Sequence, residues 1–289
     1  MDMVISQFIN GLSYSMLLFM IASGLSLVFG ILGVLNLAHG SLYMIGAYLA
    51  LTLTNTLTSN FWVALLIAPV LVAVIGLIIE VGLLRPTYHL GLLPQVLLTF
   101  GLAYVIHDLV RWIWGSNILS LSVPSLLSGS VDILGFTFPI YRLAVMVFGV
   151  AVAIVMWVFQ EKTMFGAIIR AGLSNREMVS GLGINVKVVF SVVFVIGSLL
   201  AGMGGVVAGP ILGLFPDMEF EILILSLVVL VVGGLGTVAG PFIASIMIGL
   251  ATTYGNVYIP QFAMFVTFAV MALVLIFRPQ GLLGKKVIE

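Results

Sequence analysis

The stretch FINGLSYSMLLFMIASGLSLVFGIL, Phe8 to Leu32, runs directly into GVLNLAHGSLYMIGAYLA, Gly33 to Ala50, and the pair decides the class of fold. The first part carries no charge and exceeds the ~20 apolar residues that a helix needs to cross a hydrocarbon layer. It lacks a basic leading region and is too long for a signal-peptide core, so it reads as a span kept in the mature chain. The second part interrupts the apolar pattern with Asn36, His39, Ser41 and Tyr43 beside two glycines, then resumes it. Polar groups are costly in lipid. These four should therefore face protein, pair with freed backbone groups or line a wet cavity, as at broken membrane helices. Another reading stays open, in which Asn36 and His39 cap the start of the next helix and satisfy a tight turn.

Working outward, the same grammar covers the whole chain. Hydrophobic residues make up 62% of it and charged residues 7%, against roughly a quarter charged in a soluble domain. Ten acids and ten bases could not cover a soluble core of this size, so an all-α integral membrane protein is expected, a single domain over 1–289. Dividing the chain at polar, Gly and Pro punctuation predicts a polytopic bundle of about eight or nine transmembrane helices. They centre on 8–31, 37–57, 61–82, 93–114, 139–159, 189–209, 222–236, 238–256 and 260–277. The seventh and eighth are short and Gly-interrupted, and could form one long helix or a re-entrant hairpin instead.

Short cytoplasmic loops collect Lys and Arg. With the N-terminus outside and the C-terminus cytoplasmic, Arg85, Lys162, Arg170, Arg176, Lys187, Arg278, Lys285 and Lys286 lie inside, leaving only Arg111 and Arg142 outside. Zero formal charge provides no field for nucleic acid. The chain has no cysteine, which excludes disulfides, thiolate catalysis and Cys-based metal sites, and its three histidines are scattered. No HExxH, GxSxG or GxxxxGK[ST] motif is present, so neither those enzyme chemistries nor ATP hydrolysis by a phosphate loop belongs to this chain.

Two connections are long enough to carry structure: Gly115 to Phe138, Ser-rich and external, and 160–188, internal and basic. In the second, Phe165, Ile168, Ile169, Leu173 and Val179 fall mostly on one helical face and Arg170, Asn175, Arg176 and Glu177 largely elsewhere, predicting a surface helix with a break at Gly172. A second Gly-rich break, VVGGLGTVAGPFIASIMIGLA from Val231 to Ala251, contains Gly234 and Gly236. It loosely resembles the first, so an internal repeat is one reading; its match to a dinucleotide fingerprint is rejected for want of a βαβ unit. Gly197, Ala201, Gly205 and Gly209 recur every four residues, a face without bulk suited to close helix packing or to lining a pathway. Asp108 is expected to pair with Arg111, and Glu80 with Arg85.

Four landmarks give the chain a nearly full-length resemblance to the membrane permeases of branched-chain amino acid type ABC importers. They are NLAHGSLYMIGAYLA (Asn36 to Ala50), Glu80 with Leu84-Arg85-Pro86, TMFGAIIRAGLSNREMVSGLGINVKVV (Thr163 to Val189), and VVGGLGTVAGPFIASIMIGL with the terminal RPQGLLG (Arg278 to Gly284). The resemblance implies an importer half without a cofactor of its own: a second permease chain, homologous or identical, two separate ATPase subunits that bind the ATP, and an extracytoplasmic solute-binding protein. It makes 160–188 the cytoplasmic coupling segment, with Phe165, Gly166, Ile169, Arg170, Arg176, Glu177 and Gly183 at the ATPase contact. Phe165 and Ile169 would fill a groove there. Asn36, His39, Ser41, Tyr43, Gly234 and Gly236 become the candidate substrate pathway. Many members carry a Lys shortly before the GGLG break, whereas Ile222 to Val232 is wholly apolar, which leaves the solute open among branched-chain and other amino acids, short amides and small organic acids. The rival reading is a passive channel for a small neutral solute such as urea; an ion-coupled transporter would need a deep carboxylate that the sequence does not show.

Overall fold

The computed structural model describes residues 2–33, 35–58, 60–133, 136–174, 176–234 and 236–284. Helix α1 (Asp2–Leu32) runs through the centre. Protein covers 89% of its most apolar window, against 28% for α4 (Leu92–Trp114) and α5 (Ile140–Lys162) and 17% for the stretch holding α11 (Ala263–Phe277). Around α1 pack α5, α8 (Val186–Leu212), α9 (Met218–Gly233) and α10 (Ala239–Tyr258). Helix α2 (His39–Thr52), prolonged by a wider turn over Leu53–Thr58, lies among α3 (Phe61–Ile79), α8 and α9. The outward faces of the peripheral helices expose Leu66, Val70, Leu97, Val147 and Phe265, which lipid tolerates as well as a protein core does.

Among the described residues helices stand at the places marked out by the sequence, and α9 and α10 are separate helices. Six stretches are long and apolar enough to cross a membrane, beginning at Met3, Phe61, Leu92, Ile140, Val186 and Pro260. Helix α2, at 14 residues, spans only about 21 Å and is enclosed by protein, so it contributes no lipid-facing apolar run.

Without a hydrophobic drive between helices in lipid, close approach of backbones supplies the packing energy. Gly197 meets the backbone of Gly24 and the side chain of Val28, so α1 and α8 touch with no side chain between them. Gly205 sits on the carbonyl of Tyr43, where any Cβ would displace α2. Ala201 is fully buried on the same helix, and one further turn along, Gly209 packs on Leu121 and Leu214. The segment 115–139 is not featureless: Leu119 bridges to Leu214, and β1 (Ser130–Ile133) pairs antiparallel with β2 (Phe136–Pro139).

Candidate functional site

The first break does not turn at the end of the bundle. His39 Nε2 lies 3.1 Å from the carbonyl oxygen of Ile21, about 16 Å of helical rise back from the end of α1 at Leu32. The connection therefore re-enters the interior, and α2 starts inside it. Thr99 on α4 receives this connection: its Oγ1 accepts from the Leu37 amide at 3.2 Å and donates to the Leu35 carbonyl. Asn36 Oδ1 accepts from the Ala38 amide at 3.1 Å, closing a tight turn; neither Asn36 nor His39 caps α2, whose N-cap Ala38 has no side-chain cap bond, and His39 braces α2 against α1. Gly40 lies against the backbone of Glu219, Ser41 neighbours that carboxylate, and Tyr43 is buried between α1 and α8. Four buried atoms here have no hydrogen-bond partner among the described residues: Asn36 Nδ2, His39 Nδ1, Ser41 Oγ and Glu219 Oε2. At ~1–3 kcal/mol for each group left without a partner, they offset part of the packing that holds the start of α2 in place.

The second break is built from backbone. Gly234 and Gly236 adopt φ +85° and +79°, in the left-handed region where a side chain is strained. The turn after α11 closes on them: the amides of Leu282 and Leu283 donate to the carbonyls of Val232 (2.8 Å) and Gly233 (3.2 Å). Gln160, the last buried residue of α5, donates through Nε2 to the Gly236 carbonyl at 2.8 Å. Two landmarks far apart in sequence, 231–251 and 278–284, thus form one unit.

Gln160 also joins this unit to the 160–188 segment, which folds as α6 (Met164–Ser174) and α7 (Arg176–Gly181). Thr163 Oγ1 accepts from the Gly166 amide at 3.1 Å, and Gly166 rests directly on the Phe159 and Gln160 carbonyls. Gly172, the expected break, lies inside α6. Phe165 is exposed, with Met164, Met178 and Leu182 more so, whereas Ile169 is completely buried. Ile169 is covered by its own bundle here, so of the two residues expected to fill a groove Phe165 is the more open. Arg170 Nη1 lies 3.5 Å from Glu161. Asn175 and the side chains of Arg176 and Glu177 lie outside the described residues. Gly183, at φ +80°, turns the chain toward Asn185, whose Oδ1 caps α8 by accepting from the Lys187 amide at 3.1 Å.

At the same end of the bundle Glu80 is fully buried and accepts from Arg85 Nη2 (2.9 Å), Tyr88 Oη (3.0 Å) and Ser191 Oγ (2.7 Å), clamping α3 to α8. The expected Glu80–Arg85 pair is thus present. Asp108 makes no ion pair with Arg111 among the described residues; Arg111 bonds Ser116 instead. A second buried carboxylate was not anticipated from the sequence. Glu219, 1% exposed, pairs with His107 Nδ1 at 3.0 Å, joining α9 to α4. The missed signal was MEFE, Met218 to Glu221, two acids opening an apolar run, which the prediction began only at Ile222. Carboxylates two apart on a helix cannot share a face, so Glu219 and Glu221 meet different neighbours.

A helical, multi-pass membrane protein with interior helix breaks, and without a metal-binding cluster among its described residues, is the class these observations define. Residues 7–275 match the family described as "Branched-chain amino acid transport system / permease component", and the chain belongs to that family, that of a transport subunit and not an enzyme. It is 28% identical to the high-affinity branched-chain amino acid transport system permease protein BraD of Pseudomonas aeruginosa, over 99% of this chain and 97% of that one. The permease protein LivH of Escherichia coli K12 is 28% identical over the same shares. A probable branched-chain amino acid transport permease protein LivH of Methanocaldococcus jannaschii is 26% identical over 94% of this chain and 90% of the relative. No solved structure matches the chain significantly.

Proposed function

We propose that this chain is the permease subunit of an ATP-driven importer of branched-chain amino acids. It would form the pathway with a second permease chain and work with two ATPase subunits and an extracytoplasmic solute-binding protein. The relatives named above support the substrate class. The observation that carries the reading is the mechanical unit at the basic end. There Met164, Phe165, Met178 and Leu182 stand exposed on a segment seated through Gly166 and Gln160 on the second helix break. An apolar exposed face on a firmly seated helix suits a partner that pushes on it, and the Gln160 bond offers a route from that push to α9 and α10. On this reading the N-terminus is outside, the C-terminus is cytoplasmic and nine helices cross. Arg176 and Glu177 supply polar contacts to the ATPase, and the start of α2, from Asn36 through Tyr43, is the element that repacks as access alternates.

Affinity purification of the tagged chain in mild detergent tests this. Recovery of an ATPase and a second permease is expected, with hydrolysis stimulated by leucine-loaded binding protein. Recovery of the chain alone, conducting solute into liposomes without ATP, would overturn the importer in favour of a channel. Exchanging Arg176 and Glu177 for alanine should leave basal hydrolysis in place while uptake per ATP falls several-fold; unchanged coupling removes both residues from the contact.

A further inference from the structure

Two cavities open at the end of the bundle opposite the basic segment, and they share Tyr14, Leu212 and Glu221. The larger, about 330 Å³, is polar: Asn10 comes from α1, Arg142 from α5, Glu221 from α9, and Thr253 and Asn256 from α10. Its size lies at the lower end of the ~300–1,000 Å³ common for ligand sites. The smaller, about 140 Å³, is walled by Leu212, Phe215, Met218 and Ile222 with the rings of Tyr14 and Tyr43. Helix periodicity explains the join. Met218, Glu221 and Ile222 are spaced i, i+3 and i+4, so one face of α9 presents a carboxylate beside two apolar side chains. Glu219, two residues from Glu221, turns the other way to His107.

The charges in the larger cavity do not neutralise each other. Arg142 Nη1 donates to Asn10 Oδ1 at 2.8 Å, which orients the guanidinium. Among the described residues it forms no ion pair with Glu221, and Glu221 forms no hydrogen bond. A guanidinium and a carboxylate held apart in one cavity match the two ends of a zwitterion: a planar fork for the α-carboxylate and an acceptor for the α-ammonium. The adjoining apolar cavity lies where the side chain of such a ligand would project.

We infer that these joined cavities bind the free amino acid on its way into the pathway. Arg142 takes the carboxylate, Glu221 takes the ammonium, and the Leu212–Phe215–Met218–Ile222 wall receives a branched aliphatic side chain. The inference rests on the importer reading for its choice of ligand. It adds a site in the permease that selects both the zwitterionic head and the aliphatic tail, independently of any binding protein.

The chain contains no cysteine, so one introduced thiol is a unique reporter. Leu212→Cys, with Thr253→Cys as a second reporter should the first disturb folding, is labelled with an impermeant maleimide in the purified permease–ATPase complex in liposomes. Leucine is expected to slow labelling in a saturable way. 4-Methylpentanoate, which lacks the ammonium, and 3-methylbutylamine, which lacks the carboxylate, are expected to protect poorly. Arg142→Gln or Glu221→Gln should leave the labelling rate without ligand unchanged and raise the leucine concentration for half-protection about 10–100-fold. Arg142→Lys should recover part of the loss. Ile222→Phe should weaken protection by leucine more than protection by alanine. Labelling indifferent to leucine at both reporters, or protection unchanged in both charge variants, would overturn the site. ATP-driven leucine uptake by the unlabelled complex is scored separately. Uptake without protection removes this site and leaves the importer standing, whereas protection without uptake keeps the site and removes the importer.

Discussion

The two glycine-rich breaks look alike in sequence and are built on opposite principles. At 33–38 the chain turns back into the interior, and polar side chains answer for the freed backbone: Asn36 to Ala38, Thr99 to Leu35 and Leu37, His39 to Ile21. At 234–238 there is little polar chemistry to use. The carbonyls of Val232 and Gly233 are taken by amides of the turn after α11, and two side chains add to this: Gln160 donates to Gly236, and Thr237 accepts from the Gly240 amide. Depth explains the contrast. An interior break must bring its own partners because no water reaches it, and it leaves several of them unsatisfied. A break at the bundle's end can borrow another segment's backbone, which links it mechanically to whatever moves that segment.

This contrast can be broken or sharpened by substitution. The largest effect is expected from Gly40→Val, because its side chain would occupy the space of the Glu219 backbone and push α2 out of the core. No monodisperse protein should be recovered, as read by size exclusion of a fluorescent fusion in detergent. A stable, monodisperse Gly40→Val protein would mean that α2 is not seated at depth. His39→Ala removes the brace to Ile21 and leaves a buried void, at about 2 kcal/mol in detergent unfolding. Gly281→Ala, at φ +79° against the Gly234 backbone, should cost about 1–2 kcal/mol, through strain at the second break. The smallest effect on stability belongs to Gln160→Ala, about 1 kcal/mol. If the second break transmits motion, that variant should nonetheless lower uptake per ATP more than His39→Ala does. Combined with His39→Ala its stability cost should be additive, since the two breaks share no partner; strong non-additivity would show them to be one coupled element.

Much of the fold was legible because lipid is an unforgiving solvent: apolar runs near span length, a chain nearly free of charge, and basic residues gathered at one end admit few arrangements. The Glu80–Arg85 pair was legible for a local reason, lying five residues apart at a helix end. Less could be read where partners come from remote segments. Asp108 and Arg111 have the right spacing, yet Arg111 turns to Ser116. Glu219 stands at the head of an apolar run with no local partner, and only the packing of α4 on α9 supplies His107 and buries the pair. Ile169 shared a predicted face with Phe165, but Ile169 is wholly enclosed by the bundle while Phe165 keeps 39% exposure at its edge.

By itself, then, the sequence determined the solvent, the helical class, the approximate places of the membrane helices, and the family landmarks, since each of these depends on composition or on spacing within a single element. Only the tertiary structure decided that α2 begins at depth, that the terminal RPQGLLG turn closes the GGLG break, and that Arg142 and Glu221 share one cavity. Those facts arise between residues tens to hundreds of positions apart, and nothing local encodes which backbone group or charge will fill the space opposite.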